Sequence, residues 1–252
     1  MTENNGRLAG RIAVVTGAAG GIGSGIAKAY AAEGAVLALV DRNAKKLAEI
    51  VETITAGGGT AIGFTAELRD PASIASTFAQ IKGQVGSPDI LVNNAGIDTT
   101  SDVVDMPIAM WDEMIEINLR SVFLCTQQVL RDMIARKWGR IINTASQLGH
   151  KGAPQMAHYA AAKAGVIAFT RSLAYEVAPH GVTVNAVCPG PIETPLLFAL
   201  PTDWLDRKRA ELPIGRFGRI EEVVPTYVLL ASEGGSYFVG STLNMNGGDV
   251  MI

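Results

Sequence analysis

Cysteine is nearly missing from this chain of 252 residues, which has only Cys125 and Cys188. Both stand in apolar runs outside any CxxC or metal-ligand spacing. The reading is two free buried thiols in a reducing compartment, with the cytoplasm as the expected location. Histidine is also scarce: His150, His158 and His180 are scattered, which argues against a metal centre. No apolar run approaches the ~20 residues that span a bilayer. The polar opening Met1-Thr2-Glu3-Asn4-Asn5-Gly6 lacks the basic-then-apolar form of a secretion signal. Charge of one sign is missing too. The net charge is −3 and the sequence pI about 5.7, so no global basic field exists to hold nucleic acid or anionic lipid. The short basic runs Arg136-Lys137 with Arg140, and Arg207-Lys208-Arg209, read as charge at helix ends or on solvated faces.

What is present is apolar surface, with 48% hydrophobic and 18% charged residues, enough for one large core. Short apolar runs bounded by turn residues occur at 12–16, 36–41, 61–67, 90–93, 140–145, 183–187 and 242–246. Segments of helical period lie between them, at 22–33, 44–56, 72–84, 110–135, 157–178 and 221–231. Continuous apolar strands alternating with helices predict an α/β fold. Its form is a three-layer, doubly wound parallel sheet of about seven strands in a single domain over 1–252. One stretch breaks the rhythm: 191–213 holds four prolines and the large apolar residues Leu196, Leu197, Phe198, Leu200 and Trp204. Such a late connection is expected to be a substrate loop or lid, with a subunit contact as the alternative.

The first strand runs into Thr16-Gly17-Ala18-Ala19-Gly20-Gly21-Ile22-Gly23, and a helix follows. Glycines there let the backbone approach a pyrophosphate, while the helix N-terminus offers unpaired N–H groups to the anion. The spacing reads as G-x-x-x-G-x-G or as G-x-x-G-x-x-G. Asp41 closes the second strand 18 residues past Gly23, where a carboxylate can bond a ribose and repel a 2′-phosphate. NAD is therefore expected over NADP, with Arg42 the one neighbour that could tolerate a phosphate.

Tyr159 and Lys163, four residues apart, stack on one helix face. The ammonium is expected to favour the phenolate and lower a pKa that starts near ~10. A tyrosine so tuned can move a proton at neutral pH.

With these motifs in order, the chain resembles the short-chain dehydrogenase/reductase family in its compact, single-domain form. The likeness runs from about Arg7 to the C-terminus. It is carried by Gly17, Gly21 and Gly23, then Asn93-Asn94-Ala95-Gly96, Asn118, Ser146, Tyr159-x-x-x-Lys163, and Pro189-Gly190 leading to Thr194. The resemblance implies a Rossmann fold and a catalytic tetrad of Asn118, Ser146, Tyr159 and Lys163. Tyr159 would exchange the proton, and Lys163 would tune it and hold the nicotinamide ribose. Ser146 would bond the substrate oxygen, and Asn118 would anchor a proton-relaying water. Ile22, Asn94, Ala95, Gly96, Pro189, Gly190, Ile192 and Thr194 would join the glycines and Asp41 around the cofactor. Glu67 stands where the family usually has Asp near the adenine amine, with Leu68 beside it.

The nearest relatives by pattern are the 3-oxoacyl-carrier-protein reductases, which generally use NADPH and dock their carrier on arginines. Lys137 and His180 stand at those two positions. Together with Asp41 they favour a free-standing NAD-dependent dehydrogenase acting on a secondary alcohol or its ketone, with thioester reduction as the alternative. Leu148 and Met156 are expected to line a partly hydrophobic substrate site, with Gln147 and His150 as polar contacts. A catalytically silent nucleotide sensor or scaffold on the same fold is the alternative of another class. The family resemblance further implies a homotetramer.

Overall fold

Period-2 alternation decides which layer each strand residue enters. Ala13 and Val15, Leu37 and Leu39, Ile90 and Val92, and Ile142 face one helical layer. Val14, Ala38, Val40, Leu91 and Ile141 face the other. The computed structural model describes residues 6–200 and 202–252. Residues 1–5, Pro201 and the side chain of Leu196 lie outside the described residues, and with them two positions of the 191–213 segment.

The strands are β1 Ile12–Thr16, β2 Val36–Asp41, β3 Thr60–Thr65, β4 Ile90–Asn93, β5 Gly139–Thr144, β6 Val182–Val187 and β7 Thr242–Leu243. They form one parallel sheet in the order β3-β2-β1-β4-β5-β6-β7. The helices are α1 Gly21–Ala32, α2 Ala44–Ala56, α3 Pro71–Gln84, α4 Ile108–Ile115, α5 Ser121–Arg136, α6 Leu148–Lys151, α7 Ala157–Val177, α8 Pro195–Phe198, α9 Thr202–Glu211 and α10 Ile220–Ala231. Apolar residues of α1, α2 and α10 cover one face of the sheet, and those of α3, α5 and α7 cover the other. Winding reverses between β1 and β4, which opens a crevice at the carboxyl ends of the strands.

Three differences from the expected elements have local causes. The 110–135 helix is split by a π-helical turn at Glu116–Arg120. The wide turn inserts a residue and buries Asn118 completely. The last strand stops at Leu243 rather than 246. Asn246 Oδ1 accepts the Gly248 N–H at 3.0 Å, and Gly247 and Gly248 take φ of +67° and +89°, so the chain turns away. The 191–213 segment carries two helices, α8 and α9. Its Leu197, Leu205 and Leu212 pack with Phe217 into a small core of their own, and Leu200 and Trp204 lie against it.

A buried amide ladder ties α7 to the sheet. Asn93 Nδ2 donates to Asn143 Oδ1 at 2.8 Å, across the β4–β5 register, and Asn143 Nδ2 donates to Thr170 Oγ1 at 2.9 Å. Each bond satisfies a polar group that would otherwise cost about 1–3 kcal/mol to bury. The ladder thereby sets the rotation of the helix that carries Tyr159 and Lys163.

Candidate active site

A cavity of about 960 Å³ opens at the carboxyl end of the sheet and contains most of the positions selected from sequence. Four lie elsewhere. Asn118 is buried beneath it, Leu68 packs into the core under α3, and Glu67 turns back to accept the Arg69 N–H at 3.2 Å. Neither Glu67 nor Leu68 lines this cavity; both stand on the loop that follows β3, which ends at Thr65. His150 is likewise outside the wall.

The glycine turn forms a cradle for which side chains leave no room. Gly17 takes φ +66°, and a Cβ there would come within 2.8 Å of the Ala95 backbone. At Gly23 it would meet the Gly17 carbonyl at 2.1 Å, and at Gly21 the Thr194 side chain at 2.6 Å. Helix α1 is preceded by Gly20, which offers no side-chain cap, so its first N–H groups are left without a side-chain partner at the cavity wall. Asn94 braces the turn: its Nδ2 donates to the carbonyls of Thr16 and Gly17, each at 3.2 Å. Asp41 accepts from the Ala19 N–H at 3.0 Å and the Asn43 N–H at 2.9 Å, so its carboxylate is held at the rim of the cradle. Thr194 caps α8 by accepting the Leu197 N–H and hangs over Gly21. An uncapped helix end, a backbone cradle and a fixed carboxylate make a donor and acceptor set that fits a dinucleotide.

At the other end of the cavity Tyr159 and Lys163 occupy successive turns of α7. Lys163 is buried, and its Nζ donates to the Thr144 carbonyl at 2.8 Å and sits 5.6 Å from the Tyr159 ring centroid. Asn118 clamps Ile97 at both ends, its Oδ1 accepting the Ile97 N–H and its Nδ2 donating to the Ile97 carbonyl, each at 2.9 Å. A Cβ on Gly96 would lie 2.8 Å from Asn118 Oδ1 and 3.6 Å from Lys163 Nζ, which shows how closely the loop after β4 approaches the lysine.

The electrostatics correct one expectation. Burial pushes the Tyr159 phenol above its ordinary value, the nearby Asp98 carboxylate adds to the rise, and the bond to Ser146 only partly opposes it. Burial also pushes Lys163 down to about 8, against the opposing pull of Cys188 and Asp98. The sequence spacing suggested a lowered phenol. Burial prevails because Lys163 is bonded to the Thr144 carbonyl rather than to the phenol oxygen. Tyr159 is thus a protonated acid with its hydroxyl beside Ser146.

The substrate end holds Ser146, Gln147, Leu148 and Met156, as chosen from sequence, with Leu197, Leu200 and Trp204 from the 191–213 segment. Phe198 instead points out, 55% exposed. Two carboxylates escaped sequence reading. Asp98 follows the Asn94-Ala95-Gly96 motif and lines the cavity; burial pushes its carboxyl up to about 6, against the pull of Lys163. Asp249, near the C-terminus, accepts from Lys151 Nζ at 2.7 Å, from Lys208 Nζ at 2.8 Å and from Gln147 Nε2. An acid directly after a strand-end glycine motif was a readable signal for Asp98. Nothing local announces Asp249, whose partners lie 41 to 102 residues away. Among the described residues no group of three or more His, Cys, Asp or Glu side chains is placed to hold a metal ion. No helix among them is long and apolar enough to cross a membrane.

Fold and cleft together define a nucleotide-binding oxidoreductase with room for a small substrate. This chain belongs to the short-chain dehydrogenase/reductase family. The sequence pattern described as enoyl-(acyl carrier protein) reductase matches residues 17–249. The chain is 42% identical over 246 residues to the 3-oxoacyl-[acyl-carrier-protein] reductase of Salmonella typhimurium, covering 96% of this chain and 98% of that one. Its structure resembles a short-chain type dehydrogenase/reductase from Mycobacterium marinum, with TM-score 0.93, 36% identity and 97% of each chain covered. It also resembles a variant of actinorhodin polyketide ketoreductase solved with NADPH, with TM-score 0.92, 35% identity, and 95% and 97% of the two chains covered.

Proposed function

We propose that this chain is an NAD-dependent dehydrogenase/reductase that interconverts a secondary alcohol and its ketone, with Tyr159 moving the proton. The observation that carries the reading is the phenol of Tyr159 beside Ser146, in the same cavity as a glycine cradle. The nicotinamide of a bound dinucleotide supplies the hydride chemistry. The chain supplies the rest. The α1 N-terminus and the Gly17–Gly23 cradle hold the pyrophosphate, and Asp41 takes the adenosine ribose. Thr194, Pro189, Gly190 and Ile192 cover the nicotinamide end, and Lys163 holds its ribose. Ser146 fixes the substrate oxygen at the Tyr159 hydroxyl and stabilises charge that develops there. Tyr159, protonated at neutral pH, gives its proton to that oxygen in reduction and takes it back in oxidation. Asn118 holds the loop after β4 against the lysine and anchors the water through which protons are replaced. The 191–213 segment closes the substrate end.

The preference for NAD rests on Asp41, whose carboxylate, held at the rim of the cradle, would repel a 2′-phosphate. The thioester alternative draws support from the 42% identical relative. Against it, Lys137 and His180 lie just before β5 and β6, at the amino ends of the strands, while the cavity lies at the carboxyl ends. Assembly into a homotetramer fits the exposed apolar residues Phe123 on α5, Tyr175 on α7, and Tyr237, Val239, Met251 and Ile252 near the C-terminus. Sedimentation of the purified protein tests it.

The test of function follows reduced-nicotinamide absorbance with NADH and NADPH across small ketones and a 3-oxoacyl thioester. Turnover of ketones with NADH is the expected result. Preference for NADPH with the thioester contradicts it.

A further inference from the structure

Two ammonium groups stand side by side in the cavity wall. Lys151, the last residue of α6, and Lys208, on α9, both line the cavity. Their Nζ atoms donate to the same oxygen of Asp249, Oδ1, at 2.7 and 2.8 Å, and Lys208 also lies 2.7 Å from Oδ2. Asp249 itself is not part of the wall. Like charges so close repel, and the carboxylate they share offsets only one of the two. The next acid, Glu211, is 3.4 Å from Lys208 but 63% exposed, so solvent screens it far more than it screens Asp249. Arg207 and Asp203, also in the wall, pair with each other at 3.7 Å. One positive charge is therefore left facing the cavity. Donors are left as well: among the described residues Lys151 Nζ bonds Asp249 alone, which leaves two of its three N–H groups. Gln147, the residue after Ser146, donates to the same carboxylate, and Lys151 follows one turn later. The ammonium pair is thus tied to the segment that carries Ser146.

We infer that Lys151 and Lys208 bind a carboxylate on the substrate, so that the substrate is a keto acid or the hydroxy acid formed from it. The inference rests on the dehydrogenase reading above and narrows its substrate class. A monoanion matches the single surplus charge, and its two oxygens can accept the N–H groups that Asp249 leaves over. A simple ketone brings no charge to this pair. A 3-oxoacyl thioester brings a second carbonyl, which accepts a bond but leaves the surplus charge unbalanced. The remaining acid of the substrate end, Asp98, is opposed by the charge of Lys163. Leu148, Met156 and Trp204 supply apolar surface in the same cavity for the carbon chain between carbonyl and carboxylate. Reduction moves a hydride from NADH to the carbonyl carbon and a proton from Tyr159 to its oxygen, giving the hydroxy acid and NAD. The carboxylate is unchanged and serves to hold the carbonyl in place.

The test is reduction by the full chain, with NADH, of acetoacetate, 4-oxopentanoate and 5-oxohexanoate, each against its methyl ester. The series varies the distance from carbonyl to carboxylate, and the ester removes the charge. The readout is the acid-to-ester ratio of kcat/KM at the preferred length, and its change on substitution. The wild type is expected to favour the acid, and Lys151→Gln to lower the ratio about 30-fold, the size of one charge-assisted hydrogen bond. Glutamine keeps a donor for Asp249. If Lys151 served only to tie α6 to the C-terminal residues, acid and ester would slow alike and the ratio would hold. Lys208→Met is expected to lower the same ratio about 10-fold, which keeps the test open should Lys151→Gln fail to fold. A ratio unmoved by these substitutions overturns the inference. So does a wild type that reduces the esters or simple ketones faster than every acid, although that result leaves the dehydrogenase reading standing. Absence of turnover with every ketone, keto acid and thioester, while the dinucleotide binds, defeats the dehydrogenase reading and the inference with it.

Discussion

Two clusters of charged side chains border the same cavity, and they are finished to different degrees. The Asp249 carboxylate is fully bonded: Lys151, Lys208 and Gln147 all donate to it, and it is 6% exposed. Burial opposes its ionisation, yet the two ammonium groups hold the carboxyl below its ordinary range. Around Tyr159 the bonding is incomplete. Asp98 Oδ1 has no partner, the phenol is pushed up, and a buried lysine is pushed down to about 8 with one bond to a backbone carbonyl. A saturated polar cluster stabilises a shape, joining α6, α9 and the C-terminal residues. An unsaturated one costs stability. The two clusters should therefore respond to substitution with opposite signs.

The largest effect is expected at the unfinished cluster. Lys163→Met should lower kcat by about 10³-fold, as the loss of a group that tunes proton transfer does. The same change should raise stability. Wild type must keep a buried ammonium whose pKa burial pushes from 10.5 down to about 8, which corresponds to roughly 3 kcal/mol. The folded value lies below the unfolded one, so this penalty is full below pH ~8 and fades as pH rises toward ~10.5. Urea melts of the two proteins at pH 7 and pH 10 check this. A variant advantage that grew with pH would reverse the sign and break the comparison.

Asp249→Asn should do the opposite. Removing a nearly buried carboxylate takes the partner from Lys151 and leaves Lys208 only its 3.4 Å contact with Glu211, and should lower unfolding free energy by about 2 kcal/mol at pH 7, with a smaller effect on kcat than Lys163→Met. The Asp249 carboxyl is held below its unfolded value of 3.8, so its contribution is present above pH ~4 and lost as pH falls below it. Wild type and variant should converge in acid. Equal stabilities at neutral pH would mean that the saturated cluster is not structural.

The smallest effect concerns the rim of the glycine cradle. Asp41→Ala should raise kcat/KM with NADPH relative to NADH by about 10-fold, through loss of repulsion at the 2′-phosphate. The carboxylate also accepts two backbone N–H groups, so a modest drop in stability should accompany it. An unchanged cofactor ratio would place selectivity elsewhere, at Arg42.

The contrast between clusters also explains what was legible in the sequence. The glycine turn, Asp41 and the Tyr159–Lys163 pair are local patterns, in which chain spacing itself sets geometry. The seven strands and their layers followed from apolar runs whose alternate residues face opposite helical layers. The Asp249 cluster unites α6, α9 and the residues after β7, and no local pattern foretells contacts of that span. The direction of the Tyr159 shift was misread because spacing reports a neighbouring charge and says nothing of burial. The π turn at Asn118 was hidden for a related reason: an inserted residue leaves helical periodicity almost intact. Glu67 and Leu68 were chosen by family position alone, and neither lines the cavity.

The account turns on Tyr159 as the group that moves the proton. The most direct measurement compares Tyr159→Phe with wild type, following reduced-nicotinamide absorbance in turnover and dinucleotide binding by calorimetry. Turnover should fall about 10³-fold while dinucleotide affinity stays within about twofold, because the phenol oxygen is lost and the glycine cradle is untouched. Turnover that persists at the wild-type rate would contradict the assignment and, with it, the reading of the unfinished cluster as the seat of the chemistry.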